Sequence, residues 1–380
     1  MSKSDSETKC EQRDRPRITV VIGTRAQLIK MAPVMLEMED QGVPFRLMLT
    51  GQHELTMDDL LREFGINTLP EPLFEKQEIT GVIQMIFWFP KAISRLVTAG
   101  GGLRSRKEPC QHVVLVHGDT ASTLVGAIAG RIVGALVAHV EAGLRSFKIL
   151  DPFPEELIRI LVGRLSEIAF APGDWASGNL NPRRCDIVNT GANTLLDAVR
   201  GVVTAEVTEE QDDAAPYCVV TIHRFETLCS KKRMRWLINE LGRLESRFQI
   251  VFVLHPATRR KLEVYRLYDI LENMPHVKLH DRMTYIPFIK LLRKSRLVIS
   301  DGGSNQEELA YMRKPALILR NSTERREGIG ESIELCNFDR EHFRLFIESA
   351  RKKYAGNSMI KSPYQPSKTI VARLLQYVHY

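Results

Sequence analysis

The sequence predicts an α/β protein with two parallel sheets, each in its own domain. The chain has 380 residues, which exceeds the roughly 100–200 residues of one ordinary domain. Hydrophobic residues make up 44% and charged residues 26% of the chain, as is usual in globular proteins. Short β-rich apolar runs alternate with segments of helical period along the chain, which is the pattern of βα units.

The expected strands are apolar runs, each followed by a polar or glycine-containing turn and then by a helical segment. In the first half they are Ile18–Ile22, Phe45–Thr50, Val113–Val116, Leu136–Val140 and Ile168–Ala171. In the second half they are Tyr217–Ile222, Gln249–Leu254, Val277–His280, Leu297–Ser300 and Ala316–Leu319.

A segment without a strong strand signal, Arg200–Pro216, separates the two sets and ends in proline. We therefore expect a first domain over residues 17–200 and a second over residues 201–362. Residues 1–16 are charged and are expected to form a solvated, disordered tail. Residues 363–380 contain one amphipathic helix, Lys368–Val378, which is expected to pack back on the cores.

Several classes of protein are disfavoured by composition. The longest apolar stretch, Leu124–Val140, is interrupted by Arg131 and by glycines, so no membrane span is expected. The N-terminal residues lack an apolar signal region, which predicts a cytoplasmic protein. The six cysteines include no C-x-x-C pair, so neither a disulfide framework nor a zinc site is expected.

The net charge of +7 suits an anionic nucleotide. The basic residues do not cluster with aromatic residues as nucleic-acid binding would require, so no nucleic-acid partner is expected.

The residues that follow the strands are the candidates for chemistry, because the carboxyl ends of parallel strands form the ligand crevice. Charged or histidine-containing segments follow most of the predicted strands. In the first half these segments are Gly23-Thr24-Arg25, Gly51-Gln52-His53, His117–Thr120 and His139–Arg145. In the second half they are His223–Glu226, His255-Pro256, Asp301–Ser304 and Arg320–Arg325. Two sheets with charged carboxyl edges predict a cleft in which the two edges face each other.

A diphosphate site is expected at Asp301-Gly302-Gly303-Ser304. These residues precede a predicted helix, and a helix N-terminus offers backbone N–H groups and a positive dipole end to phosphate. A tight turn with a helix cap is the structural alternative. No P-loop and no G-x-G-x-x-G fingerprint occurs between a strand and a helix, so neither ATP hydrolysis nor nicotinamide binding is indicated.

Cations at the strand ends suit a pyrophosphate that leaves during a reaction. These candidates are Arg25, Lys30, His223, Arg224 and Arg325, for which surface solvation is the alternative. The histidines show no i, i+4 pair, so no metal site is expected.

Three acidic residues, Asp119, Glu141 and Glu155, lie close to predicted strand ends or in the first turn of a helix. Carboxylates that share a partly buried crevice can serve as acid and base at a sugar carbon. Glu155 could instead oppose a helix dipole, and Asp119 could cap a helix.

Ordered motifs between Ile18 and Tyr364 resemble the non-hydrolysing UDP-N-acetylglucosamine 2-epimerases. They are Gly23-Thr24-Arg25 with Ile29–Pro33, Gly51-Gln52-His53, His117-Gly118-Asp119-Thr120, His139–Arg145, Pro154-Glu155-Glu156, His223-Arg224, Gln306-Glu307-Glu308 and Thr323-Glu324-Arg325. The resemblance implies two Rossmann-like domains of the glycosyltransferase-B type, with the UDP-sugar bound in the cleft. It also implies a homodimer, the absence of a cofactor and a role in supplying surface polysaccharide.

In that family UDP is eliminated to leave a 2-acetamidoglucal and is then added back with C2 inverted. The resemblance makes Asp119, Glu141 and Glu155 the acid/base candidates, with Arg25 and His223 at the leaving diphosphate. Gly303, Ser304 and Glu308 fall where the family holds the diphosphate and ribose, and Phe288 falls at a uracil-contacting position. Gly302, in the same loop, is also expected to bind UDP.

The sequence departs from the family pattern at several positions. Ala26-Gln27 replaces the usual Pro-Glu, and Asp301-Gly302-Gly303-Ser304 replaces Asp-Ser-Gly-Gly. Ile158 replaces an Asn, and Gln365-Pro366-Ser367 replaces Gly-Asp-Gly. Three alternatives stay open: a different UDP-2-acetamido sugar, a hydrolysing 2-epimerase that releases free sugar and UDP, and a glycosyltransferase on the same architecture.

Overall fold

The computed structural model describes residues 16–51, 57–74, 82–99, 111–149, 153–205, 217–244, 249–323, 325–353 and 362–378. The expected N-terminal tail therefore lies almost wholly outside the described residues, as do Gln52, His53 and Glu324. The chain divides into two compact units. One contains the described residues up to Ala198 and those from Pro363 onward, and the other runs from Val199 to Ser362.

The first unit is built on a seven-stranded sheet whose recorded pairings are all parallel. Its strands are β1 (Ile18–Ile22), β2 (Phe45–Leu49), β3 (Pro70–Pro72), β4 (Val113–His117), β5 (Leu136–Val140), β6 (Ile168–Ala171) and β7 (Asp186–Asn189). Its helices are α1 (Arg25–Asp40), α2 (Met57–Phe64), α3 (Val82–Ala99), α4 (Ala121–Val133), α5 (Glu155–Leu165), α6 (Asp174–Gly178) and α7 (Leu195–Ala205), which continues into the second unit.

The second unit is built on a six-stranded sheet, again with parallel pairings throughout. Its strands are β8 (Tyr217–Thr221), β9 (Gln249–Leu254), β10 (Val277–Asp281), β11 (Leu297–Ser300), β12 (Ala316–Ile318) and β13 (Ile333–Leu335). Its helices are α8 (Phe225–Leu228), α9 (Lys231–Gly242), α10 (Pro256–Val264), α11 (Tyr268–Glu272), α12 (Tyr285–Lys294), α13 (Gly303–Tyr311) and α14 (Arg340–Lys353). The C-terminal helix α15 (Pro366–Leu374) returns to the first unit and packs on α1.

The strand order in both sheets is Rossmann-like. The first sheet runs β3-β2-β1-β4-β5-β6-β7, and the second runs β10-β9-β8-β11-β12-β13. The order reverses between β1 and β4 in the first sheet and between β8 and β11 in the second. In doubly wound sheets the ligand crevice lies at the carboxyl ends of the two strands that flank this reversal.

The central strands form because their apolar runs are covered on both faces by helices. Strands β1 and β4 are buried at every residue. In the second unit an apolar cluster includes Cys218 and Val220 of β8, Phe252 of β9 and Leu237 of α9. The expected α/β class with two parallel sheets is thus confirmed.

Three strands were not expected from the sequence: β3, β7 and β13. Each lies at the edge of its sheet and is short and partly polar. The expected C-terminal helix, Lys368–Val378, is observed as Pro366–Leu374. It begins earlier because Pro366 occupies its first turn, where proline costs no hydrogen bond.

A buried lysine lies inside the second unit. Lys314 is 1% exposed, and its Nζ donates to the backbone oxygens of Arg293 at 2.5 Å and Ser295 at 2.6 Å. These carbonyls belong to the C-terminal end of α12, where a donor is otherwise lacking. Burial, with Arg293 and Arg296 nearby, lowers the pKa of Lys314 to about 7.

No helix in the described ranges is long and apolar enough to cross a membrane.

Candidate active site

At the β1 end of the first crevice, α1 begins with a reciprocal cap. The Thr24 hydroxyl accepts the Gln27 N–H, and Gln27 Oε1 accepts the N–H groups of Thr24 at 3.1 Å and Gly23 at 2.9 Å. This capping box fixes the turn that carries Arg25, the first residue of α1. Residue 27, one of the departures from the family pattern, is therefore an organising residue of this turn.

Gln27 also joins this turn to the loop after β4. Its Nε2 donates to the backbone oxygen of His117 at 2.7 Å and to Thr123 Oγ1 at 3.0 Å. Both ends of the amide are therefore used, and the side chain is only 2% exposed. Gln27 therefore links the two loops that flank the reversal of strand order.

Glu141, directly after β5, is the centre of a buried polar cluster. Its Oε1 lies 2.7 Å from Lys30 Nζ and accepts Asn193 Nδ2 at 2.8 Å, while its Oε2 lies 3.2 Å from His117 Nε2. The side chains of Lys30 and Glu141 are only 5% and 6% exposed. Lys30, a predicted phosphate contact, thus pairs with the Glu141 carboxylate.

Glu141 has a positive φ of 66°, a conformation that costs a non-glycine residue about 1–2 kcal/mol. Such strain persists only where the surroundings hold it, and it concentrates at functional sites. The hydrogen bonds around Glu141 supply that restraint, so its carboxylate has a fixed direction.

Asp119 lies in a second charged group, at the carboxyl end of β4. Its Oδ2 is 2.5 Å from a terminal guanidinium nitrogen of Arg159 on α5. Arg159 also reaches Glu156 at 3.3 Å. The alternative role of Asp119 as a helix cap is not observed, because Thr120 caps α4.

The buried residue Glu156 orders the segment before α5. Its carboxylate accepts Arg145 Nε at 2.5 Å and the Ser146 N–H at 3.0 Å. Burial raises the pKa of Glu156, but the hydrogen bonds from Ser146, Arg145 and Arg159 outweigh it and lower the pKa overall.

Glu155, the first residue of α5, is half-buried. Its Oε2 is buried and has no hydrogen-bond partner among the described residues. A buried carboxylate oxygen without a partner is unfavourable in a folded chain and is characteristic of functional positions.

His139 connects these acids electrostatically. Its Nε2 is 2.8 Å from the Gly118 oxygen. Burial lowers the pKa of His139 despite the opposing effects of Gly118, Asp119 and Glu141, and Arg159 lowers it further. The charges of Asp119, Glu141 and Arg159 thus all affect the pKa of this one buried imidazole.

In the second unit, the reversal of strand order brings β8 and β11 side by side, and Asp301 joins their ends. This carboxylate accepts the N–H of His223 at 3.0 Å and of Arg224 at 3.1 Å. Asp301 is fully buried, so its role is to hold the His223-Arg224 turn.

His223 faces the start of α13. Burial lowers the pKa of His223; the Asp301 charge opposes this shift, and Arg224 and Arg282 add to it. The imidazole, expected as a cation, is therefore neutral near pH 7 and can donate one hydrogen bond. The His255 ring lies 6.2 Å from it, and burial also lowers the pKa of His255.

Helix α13 begins at Gly303, and the residue before it, Gly302, is its cap. The expected diphosphate loop thus forms a helix N-terminus beside His223. Glu308, one turn further on, is buried at 4% exposure. Phe288 is a half-buried residue of α12.

Arg325 is held by Glu307 through a buried ion pair. Gln306 Oε1 accepts a hydrogen bond from Thr323 Oγ1 at 2.9 Å, and Gln306 Nε2 donates one to the backbone oxygen of Arg325 at 3.2 Å. Polar residues of α13 thereby place the 323–327 segment, apart from Glu324, which lies outside the described residues.

Sequence reasoning missed two members of the site, Arg159 and Asn193. Arg159 follows Glu155 by four residues on the same helix, which puts the two on one face, so a signal was present. Asn193 donates to Glu141 but is separated from it by 52 residues in the sequence, and no local sequence pattern indicates that contact. Among the described residues, no group of His, Cys, Asp and Glu side chains is arranged to hold a metal.

Comparison with known proteins adds independent evidence. The family model described as UDP-N-acetylglucosamine 2-epimerase matches residues 37–374. A UDP-N-acetylglucosamine 2-epimerase of Neisseria meningitidis serogroup A is 32% identical, over 95% of this chain and 99% of that protein.

Solved structures show the same likeness. The crystal structure of the UDP-GlcNAc 2-epimerase from Neisseria meningitidis bound to UDP-GlcNAc superposes with a TM-score of 0.79 at 28% identity, covering 94% of this chain and 99% of that one. The S. aureus MnaA structure with UDP gives a TM-score of 0.77 at 26% identity, covering 95% and 96%. Because the family model spans most of the sequence and the fold agrees along it, this chain belongs to the UDP-N-acetylglucosamine 2-epimerase family.

Proposed function

We propose that this chain converts UDP-N-acetylglucosamine to UDP-N-acetylmannosamine by inverting C2 of the sugar. A base removes the C2 proton, and the bond from C1 to the UDP oxygen breaks, which leaves 2-acetamidoglucal and UDP. A proton is then delivered to the opposite face of C2 as UDP bonds again to C1. The sequence of steps is redox-neutral, so no cofactor is required.

The observation that carries this proposal is the group of acids in the first unit. Asp119 and Glu141 follow the paired strands β4 and β5, Arg159 lies 2.5 Å from Asp119, and Glu155 begins the helix that carries Arg159. Proton removal and return on opposite faces of one carbon require more than one acid/base group. We assign that work to Asp119, Glu141 and Glu155.

We assign UDP binding to the second unit. The N-terminus of α13, at Gly302, Gly303 and Ser304, would take the diphosphate, and the neutral His223 imidazole beside it would donate a hydrogen bond to the departing oxygen. Glu308 would accept ribose hydroxyls.

Three further contacts complete the assignment. Phe288 would contact the uracil, Arg325 would add positive charge, and Arg25 of the first unit would contact the leaving diphosphate. By resemblance to the family we also propose a homodimer in the cytoplasm that supplies a surface polysaccharide, which light scattering and cell fractionation would test.

The decisive experiment follows UDP-N-acetylglucosamine by NMR in deuterated water with the purified protein and no acceptor. An epimerase of this kind places deuterium at C2 of both nucleotide sugars, because the abstracted proton exchanges with solvent. Glu141→Gln serves as the impaired control.

The same spectra separate the open alternatives. Free sugar and UDP as the main products would show a hydrolysing enzyme. A glycosyltransferase would leave C2 unchanged while no acceptor is present. Epimerised product without deuterium at C2 would exclude the proposed proton abstraction.

A further inference from the structure

The cap of α13, Gly302, is crowded by two side chains, those of Asn305 and His223. A Cβ atom built on Gly302 would lie 2.6 Å from Asn305 Oδ1 and 2.6 Å from His223 Cε1. Real Cβ atoms do not approach other atoms so closely. Asn305 and His223 therefore occupy the space that a side chain at position 302 would need. The family pattern has a serine at position 302, and the glycine here leaves room for Asn305.

Asn305 is bonded at both ends of its amide. Its Nδ2 donates to Glu308 Oε2 at 2.9 Å, and its Oδ1 accepts the Ser300 hydroxyl at 3.2 Å. Ser300 Oγ in turn accepts the Gly302 N–H at 3.2 Å. The direction of each bond is set by chemistry, because an ionised carboxylate and a carbonyl only accept, so the amide cannot be reversed.

This chain of hydrogen bonds ends on the carboxylate to which ribose binding is assigned above. Glu308 is 4% exposed and Ser300 is fully buried, so both outer members of this chain of hydrogen bonds are shielded from water, while Asn305 between them is half-buried. The neighbouring carboxylate, Glu307, is held separately by Arg325. A carboxylate fixed in direction can accept hydrogen bonds from ribose hydroxyls without first losing rotational freedom.

We propose that Asn305 is a positioning residue of the nucleotide site: it orients the Glu308 carboxylate toward the ribose hydroxyls of UDP and depends on Ser300 for its own orientation. This inference rests on the proposed function, because it takes Glu308 to be the ribose contact. Asn305 itself need not touch the substrate.

The test compares UDP with 2′,3′-dideoxy-UDP by calorimetry, using the parent protein, Asn305→Ala and Glu308→Gln. Asn305→Ala should weaken UDP binding about 5- to 10-fold and dideoxy-UDP binding less than about twofold. In turnover, KM for UDP-N-acetylglucosamine should rise while kcat stays within about twofold.

Two further variants sharpen the test. Asn305→Asp keeps the shape of the side chain but removes the donor toward Glu308, so it should lose the same discrimination even if the alanine variant folds poorly. Asn273→Ala is the matched control, because that exposed side chain bonds only a local backbone oxygen before β10. It should bind both ligands as the parent does.

The outcomes separate the two levels of the argument. If Glu308→Gln loses discrimination and both Asn305 variants keep it, the positioning role is wrong and the ribose assignment stands. If the Asn305 variants weaken the binding of UDP and of 2′,3′-dideoxy-UDP equally, the residue merely supports the helix, and the inference is again wrong. If Glu308→Gln discriminates as the parent does, the ribose assignment in the proposed function fails, and the inference fails with it.

Discussion

Replacement of Lys30 by Met should destabilise the first unit and separate two possible roles of this lysine. Lys30 and Glu141 are both more than nine-tenths buried, and their charged atoms lie 2.7 Å apart. Removing one partner of a buried ion pair costs about 3–5 kcal/mol, because the remaining charge is left without compensation. Asn193 and His117 still face Glu141, so the loss should lie near the lower limit.

A loss of about 3 kcal/mol corresponds to a fall in Tm of roughly 6–12 °C for a unit of this size. Scanning calorimetry and urea unfolding would measure it. The double variant Lys30→Met with Glu141→Gln should recover most of the lost stability, because no unpaired charge remains. The exposed Lys91 on α3 provides the control, and Lys91→Met should change stability by less than about 0.5 kcal/mol.

UDP affinity distinguishes the role of Lys30. If the lysine serves Glu141, Lys30→Met should keep the Kd for UDP within about threefold while kcat falls by about tenfold or more. A loss of stability below about 1 kcal/mol, or a double variant no more stable than the single one, would refute the ion-pair reasoning. A large loss of UDP affinity with unchanged stability would restore the phosphate-binding role.

Three other predictions concern separate parts of the chain. Asp119→Asn and Glu155→Gln should each lower kcat by about 10²-fold or more with a smaller change in Tm than Lys30→Met; near-normal turnover in both would return these acids to structural roles. Gln27→Ala should cost roughly 2 kcal/mol in urea unfolding, because it removes the acceptor of the buried Gly23 N–H and of the part-buried Thr24 N–H, and an unchanged midpoint would contradict the link between the two loops. The folded chain loses the Lys314 proton near pH 7 and the unfolded chain keeps it until about pH 10.5, so the unfolded state binds more protons in that window and stability rises with pH. The stability of the parent relative to Lys314→Met should therefore grow by about 1 kcal/mol per pH unit between pH 7 and 9, and a difference independent of pH would show that the burial of this amine is not the cause.

The central strands could be predicted because strands buried on both faces appear in the sequence as continuous apolar runs. Val113–His117 and Leu297–Ser300 are covered on both faces, so nearly every residue is apolar. The edge strands Pro70–Pro72 and Asp186–Asn189 are partly exposed. Hydrogen bonds to one neighbouring strand define them, and pairing of that kind leaves no apolar run to recognise.

The candidate site was predictable only in outline. Asp119 and Glu141 could be found because they follow buried strands, and parallel strands bring such residues to one edge. The pairing of Glu141 with Lys30 could not be found, because the two residues lie 111 positions apart. Arg159 could be placed on the same helix face as Glu155, but its contact with Asp119 depends on how α5 packs. The phosphate role of Lys30 stays a prediction beside the observed pairing of this lysine with Glu141.

The sequence by itself determined the α/β class, the two sets of strands and the positions where polar residues end them, because burial and turn chemistry act locally. Only the tertiary structure decided which polar groups meet. Gln27 joins two loops, Asn193 fixes Glu141, and Asn305 reaches Glu308 beside a glycine that leaves room for it. Side-chain hydrogen bonds depend on distances of a few ångströms, and the order of the strands and the packing of the helices set those distances.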